Sequence, residues 1–297
     1  MKLDSPRDFL NAAGRENACV DADQLALVNQ AYRKAVSDFS HNLAGNPLFT
    51  LDALAEVATI LDTGNPKDAE VRMGGDGIGD EFDFADPAEG SVADAIRNLG
   101  KSNRWAMFGD LTRVPGYAEI IADLTASLQP IIAAHGDEVI STNSFIFMSS
   151  PGAFTPYHFD AEHNILFHIA GNKKFATCPL GSPWLSPEVQ EQFFATSNNM
   201  LEWNPNWLTD ARVKAMEPGD AIYVPYKVPH WVENGDQVSV SLSIVWRTRE
   251  CLDLDYATRF SAAMRRFGIT PSYRGSFPTG VAAKSLAWRA MQRLGLK

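Results

Sequence analysis

The chain has 297 residues, 45% hydrophobic and 21% charged, the make-up of a folded domain long enough to bury a sizeable core. Its 26 Lys and Arg against 36 Asp and Glu give a formal charge of −10, which argues against wholesale binding to nucleic acid. Cys19, Cys178 and Cys251 stand far apart with no Cys-x-x-Cys pair, so free thiols in a reducing compartment are expected. The first residues carry no apolar stretch and no run approaches membrane-spanning length, so the expected location is the cytoplasm.

In chain order, Leu25, Val28, Tyr32, Val36 and Phe39 fall at helical spacing and predict a helix from Asp21 to Phe39. A second helix is predicted over Leu48–Leu61, with Thr50 as its cap and Glu56 later in the turn. His41, between them, is expected to pack or cap. The region 65–88 is rich in Gly, Asp and Pro. Its Gly74-Gly75-Asp76-Gly77-Ile78-Gly79-Asp80 run lacks the Lys-Ser/Thr and following helix of a phosphate loop, and it does not repeat. It reads as a turn between short strands at a pocket rim. Helices are predicted over Ser91–Leu99 and Tyr117–Ala134, flanking a short strand at Trp105–Phe108. Pro115 and Gly116 mark the entry to the second helix, and His135 fits its C-terminal end, where a cation suits the dipole.

From Glu138 the period changes to alternation. Strands are predicted at Val139–Met148, Tyr157–Asp160, Asn164–Ala170, Lys173–Cys178, Ala221–Val224 and Val238–Trp246. Such a set predicts a mainly β fold with helical flanks, its core a double-stranded β-helix, a jelly-roll barrel. The expected division is a helical N-terminal region packed on the core at 1–100, the barrel at 101–250, and basic C-terminal helices at 251–297.

Two segments of this core carry chemistry. Gly152 is followed after five residues by His158-Phe159-Asp160, and Gly219 after five residues by Pro225, then His230 and, after three more residues, Asn234. Residues two apart in an extended segment point the same way, so His158 and Asp160 can chelate one ion while His230 comes from another strand. Two imidazoles and one carboxylate hold one face of a non-haem Fe(II) and leave the other open. A lone His-x-Asp arises by chance in many chains; two half-motifs in order, each between alternating runs, do not. Lys227 stands where this pattern usually has Gly. His163 and His168 are expected to be satisfied barrel histidines.

This double motif resembles that of the JmjC-type cupins, and the core, roughly residues 100 to 250, is most similar to the branch containing the factor-inhibiting asparaginyl hydroxylase of the hypoxia response. The resemblance implies an enzyme, an Fe(II)- and 2-oxoglutarate-dependent oxygenase. It would hydroxylate a protein or peptide side chain or an amino-acid-like substrate, consuming O₂ and releasing succinate and CO₂. It implies His158, Asp160 and His230 as iron ligands, Thr155 and Lys173 as the pair on the distal carboxylate of 2-oxoglutarate, and Asn164 as an asparagine beside that co-substrate. Two positions depart: a family tyrosine on the same carboxylate falls near Trp105, and an asparagine of the last core strand falls near Ser243. A JmjC-type lysine demethylase, a cupin using another metal for isomerase or lyase work, and a metal-binding module without turnover stay open.

Lys173 is singled out by its local sequence as well. Ala170-Gly171-Asn172-Lys173 reads as a two-residue hairpin turn with Gly first, as type II′ prefers. That sets Lys173 opposite Ala170, on the face of Asn164, Leu166 and His168. A lysine turned into an apolar barrel is costly unless it meets an anion. Lys174 points the other way, to solvent.

The stretch Pro179–Glu217 carries Trp184, Phe193, Phe194, Trp203 and Trp207. Loops of this length are usually functional or fold their own small elements, so a substrate-side lid and aromatic packing over the barrel end are both open. The last 42 residues, Tyr256–Lys297, hold eight Lys or Arg and no Asp or Glu, with helices predicted at Tyr256–Phe267 and Val281–Leu296. Leu286, Ala290 and Leu294 share one face of the second. The pair suits core packing or a homodimer closed by C-terminal helices, as in the resembled hydroxylases; the other reading is contact with an anionic membrane face or an acidic partner.

Overall fold

A computed structural model describes residues 18–61, 65, 67–73, 77–79 and 91–295. Most of the Gly- and Asp-rich rim segment, including Gly74 to Asp76 and Asp80, lies outside the described residues, as does Leu296 at the expected end of the last helix.

The first helix, α1 (Ala22–Ala31), stops well short of Phe39. Arg33 takes φ 63°, a left-handed turn that ends the helix, and Phe39 joins a short strand, β1 (Ser37–Ser40), opposite Ala221. A 3₁₀ turn at Pro47–Phe49 leads into α2 (Leu51–Val57), which Thr50 caps by accepting from the Ala53 N–H at 3.3 Å. Next come β2 (Ala69–Met73), α3 (Val92–Arg97) with a Ser91/Asp94 capping box, β3 (Arg104–Gly109) and α4 (Pro115–Ala134), with His135 at its C-terminal cap. The first hundred residues are therefore not wholly helical.

The remaining strands are β4 (Val139–Ser149), β5 (Phe154–His158), β6 (His163–Ala170), β7 (Lys173–Thr177), β8 (Arg212–Met216), β9 (Asp220–Val224), β10 (His230–Asn234) and β11 (Ser239–Thr248). They form a seven-stranded sheet in the order β1-β9-β6-β11-β4-β3-β2 and a four-stranded sheet in the order β5-β10-β7-β8, with antiparallel pairing throughout. The expected Ala170–Lys173 hairpin is absent. β6 pairs with β9 and β11, whereas β7 pairs with β10 and β8, so the chain crosses from one sheet to the other at Gly171 and Asn172. Gly171 has φ 78°, and a Cβ there would meet the Val238 carbonyl oxygen at 2.4 Å. The glycine permits a close backbone crossing, not a β-turn.

The strand period decides what faces the space between the sheets. On β6, Ile165, Phe167 and Ile169 enter the large core beneath α1, α2 and α4, while Asn164 and Leu166 face inward. Inside the barrel Leu166, Phe175, Ile222, Val224, Val228 and Val232 pack together. The 179–217 insertion, which contains α5 (Pro187–Thr196), covers the outer face of the smaller sheet. Trp203 packs edge-on against Tyr157 and Trp231, with ring centres 5.2 and 4.9 Å away. Of the two open readings for this segment, aromatic packing is the one adopted.

At the C-terminus α6 (Arg249–Arg266) packs on α7 (Val281–Arg293), burying Trp288 and Ser285. Leu286 and Leu294 stay 69% and 73% exposed. Part of the basic excess is neutralised within the chain, Arg265 by Glu188 and Glu191 and Arg289 by Asp253.

Candidate metal centre and co-substrate pocket

His158 ends β5 and His230 opens β10, and the two are direct partners in the antiparallel ladder. Asp160 lies just past the end of β5. There its carbonyl accepts from the Lys227 N–H at 3.0 Å. One ligand atom from each of His158, Asp160 and His230 lies within 4.8 Å of the others, a group able to hold a metal ion.

The hydrogen bonds fix the tautomers. His158 Nδ1 donates to the Pro156 carbonyl at 2.7 Å, and His230 Nδ1 to the Val228 carbonyl at 3.0 Å. A carbonyl only accepts, so each Nδ1 carries a proton, which leaves Nε2 as the atom that can offer a lone pair to a metal. Those Nε2 atoms face the carboxylate: His158 Nε2 is 3.9 Å from Asp160 Oδ1, and His230 Nε2 is 3.6 Å from Oδ2. Burial, then the neighbouring His158, hold the His230 pKa below its ordinary value, keeping it a neutral donor. Phe175 stacks on the His230 ring at 5.2 Å and limits its rotation.

The triad opens into a cavity of about 320 Å³ between the two sheets. Thr155, Asn164 and Lys173, singled out from the sequence, line the same cavity. Lys173 is 6% exposed, and burial pushes its pKa down to about 7. Among the described residues no carboxylate pairs with its ammonium. Asn164 is held from behind: the Ser243 hydroxyl donates to its Oδ1 at 2.5 Å, which leaves its amide hydrogens to be donated elsewhere. Ser243 thus supports the pocket from outside its lining. Trp105 does line it, with the Arg72 guanidinium 5.2 Å from the ring centre and Glu70 2.8 Å from that guanidinium.

Other expected roles hold. His41 sits between Leu43 N–H and the His168 carbonyl, and His163 and His168 bond to Tyr223 and Ser241, so all three are internal packing groups. Lys174 is exposed and pairs with Glu233. Arg72 and Asn199 were not singled out. Asn199 donates to the Phe159 carbonyl at 2.9 Å and to Asp160 Oδ1 at 3.4 Å, and no local period marks it within the insertion. A separate depression of about 350 Å³ between α4 and β4 has one carboxylate, Asp110, and no imidazole.

Fold and donor set together define an antiparallel two-sheet barrel with a two-histidine, one-carboxylate centre. The chain is similar to E. coli YcfD, whose crystal structure it matches with a TM-score of 0.54 at 16% identity, over 93% of this chain and 68% of that one. The structure of YcfD, a ribosomal oxygenase, in complex with cobalt and 2-oxoglutarate matches with a TM-score of 0.53 at 15% identity, over 94% of this chain and 68% of that one. HSPB1-associated protein 1 of Bos taurus is 26% identical over 204 residues, 63% of this chain and 40% of that protein, so the chain spans about two fifths of that relative. No protein-family model matches the chain. These likenesses establish the fold and are coarser than the asparaginyl-hydroxylase branch expected from the motifs.

Proposed function

We propose that the protein is an Fe(II)- and 2-oxoglutarate-dependent oxygenase that hydroxylates a side chain of a protein or peptide. One observation carries this: a single cavity brings together two imidazole Nε2 atoms, a carboxylate and a buried ammonium that has no carboxylate partner among the described residues. The donor set fits Fe(II), and the ammonium fits a carboxylate of a small dianion. His158, Asp160 and His230 would hold the metal; Lys173 with Thr155 would hold the distal carboxylate, and Asn164 would offer its amide alongside. When bound, iron and 2-oxoglutarate supply the oxidising chemistry, consuming O₂, releasing succinate and CO₂, and placing one oxygen atom on the substrate. The chain itself orients the donors, neutralises the anion, and excludes water with Trp105, Met107, Phe147, Leu166, Phe175 and Val232. The ribosomal oxygenase named among its structural relatives points the substrate class towards a protein side chain.

The working unit of this reading is a barrel at 101–250 flanked by regions 1–100 and 251–297, acting in the cytoplasm, where three buried free thiols stay reduced. Among the described residues no helix is long and apolar enough to cross a membrane. The exposed apolar face of α7 supports a homodimer closed by the C-terminal helices.

Incubating the iron-loaded protein with 2-oxoglutarate and peptide or protein fractions should yield succinate and a product heavier by one oxygen. Formaldehyde release would indicate demethylation instead. Failure of the metal-loaded protein to bind 2-oxoglutarate would promote the cupin of another chemistry.

A further inference from the structure

Lys227 is at once strained, buried and charged. Its φ of 62° lies in the left-handed region, where a side chain clashes and glycine does not. Its side chain is nonetheless wholly buried, with Nζ 3.3 Å from Asp255 Oδ1 and 4.8 Å above the Phe194 ring. Asp255, on α6, also accepts from the Tyr226 hydroxyl and from Arg247. A buried ion pair is weak evidence of added stability, and glycine would fit this turn at no steric cost, so stability alone does not explain the lysine.

The backbone of the same turn touches both ligand segments. The Lys227 N–H donates to the Asp160 carbonyl at 3.0 Å. The next residue, Val228, offers the carbonyl that fixes the His230 tautomer at 3.0 Å, and Pro229 accepts from the Cys178 N–H at 2.8 Å. We propose that Lys227 is a positioning residue of the metal centre: anchored on Asp255, its side chain fixes the turn that holds Asp160 and His230 in register. The C-terminal helix α6 thereby becomes part of the site's support. This inference rests on the metal-centre reading above.

The test is Co(II) titration of the full chain, followed by the visible spectrum of the bound ion and by thermal melting. In Lys227→Gly the turn is sterically free and Asp255 keeps Tyr226 and Arg247, so the variant should fold. Its Co(II) affinity should fall about ten- to hundredfold, the range for groups that orient a metal ligand, and the spectrum should change. A merely structural lysine would shift the melting point and leave affinity and spectrum alone; that result overturns the proposal. Should Lys227→Gly fail to fold, Lys227→Gly with Asp255→Asn removes the uneven buried charge and is read in the same way. A wild type that does not bind Co(II) sinks the metal-centre reading and this inference with it, whereas binding by wild type and an unchanged variant sinks this inference alone.

Discussion

His158 and His230 face each other directly across the β5–β10 ladder, their ring centres 4.2 Å apart and both Nδ1 atoms turned back onto the carbonyl two residues upstream. Two imidazoles fixed this way, with both Nε2 atoms turned to one carboxylate, suit a shared cation. Each of His158→Ala, Asp160→Ala and His230→Ala is therefore expected to lose stoichiometric Fe(II) or Co(II) binding while keeping the far-ultraviolet dichroism of the wild type. A variant that still binds the metal at wild-type affinity removes its residue from the centre.

Lys173 is the buried cation of the cavity, and its removal strands whatever anion it serves. Lys173→Ala is expected to weaken 2-oxoglutarate binding by roughly 2–5 kcal/mol, the range for truncating one partner of a desolvated charge pair. Thr155→Val removes one neutral hydrogen bond and should cost about 1 kcal/mol. Lys174→Ala, at an exposed pair with Glu233, should change nothing measurable. Because burial holds the free Lys173 near pH 7, wild-type affinity should decline as pH rises above that point, since binding the anion then requires taking up a proton. Titrations into the anaerobic metal-loaded protein read all of these. Equal affinities for wild type and Lys173→Ala would move the anion site elsewhere.

What could be read in advance was local. The triad, Thr155, Asn164 and Lys173 line one cavity because strand alternation, visible in Asn164-Ile165-Leu166-Phe167, sorts them inward. What could not be read was which strands pair. The Gly171-Asn172 link is as short as a hairpin loop, yet β6 and β7 belong to different sheets, and only the partners β9, β11 and β10 decide that. Lys173 was turned inward for a reason other than the one its local sequence offered. β1 is four residues long, too short to show a period, and neither Gly nor Pro at 32–36 announces the end of α1. Arg72 and Asn199 reach the pocket from segments whose local sequence carries no mark of the site.

The exposed apolar residues of α7 offer a test of assembly that spares the fold. Trp288 and Ser285 face α6, whereas Leu286 and Leu294 point away from it. Leu286→Glu with Leu294→Glu should leave the melting point within about 0.5 kcal/mol of the wild type in equivalent stability, as surface changes usually do. If α7 closes a homodimer, light scattering should show the wild type as dimer and this variant as monomer. An unchanged dimer together with lost binding to anionic vesicles would favour the membrane reading.

Three further histidines should make the protein sensitive to mild acid. His41 and His163 are held at a pKa of about 4 and His168 at about 3, all chiefly by burial. Each also uses one ring nitrogen as an acceptor: His41 Nδ1 from Leu43 N–H, His163 Nδ1 from Tyr226 N–H at 3.3 Å, and His168 Nδ1 from the Ser241 hydroxyl at 3.1 Å. Protonation would turn every one of those acceptors into a donor facing a donor. The unfolded chain, with ordinary values near 6.5, takes up these protons first, so stability is fully present above pH 6.5 and is lost as pH falls towards 4. A shift of this size costs about 2 kcal/mol per histidine by pH 5, and three such losses are comparable to the whole stability of many domains. The urea midpoint of metal-free protein should accordingly drop steeply as pH falls from 6.5 towards 5, before ordinary carboxylates begin to titrate. His163→Gln, which keeps a neutral polar side chain, should shallow that drop, following the same linkage. A midpoint that stays level from pH 7 to 5 would mean that these rings already carry their protons in the folded protein.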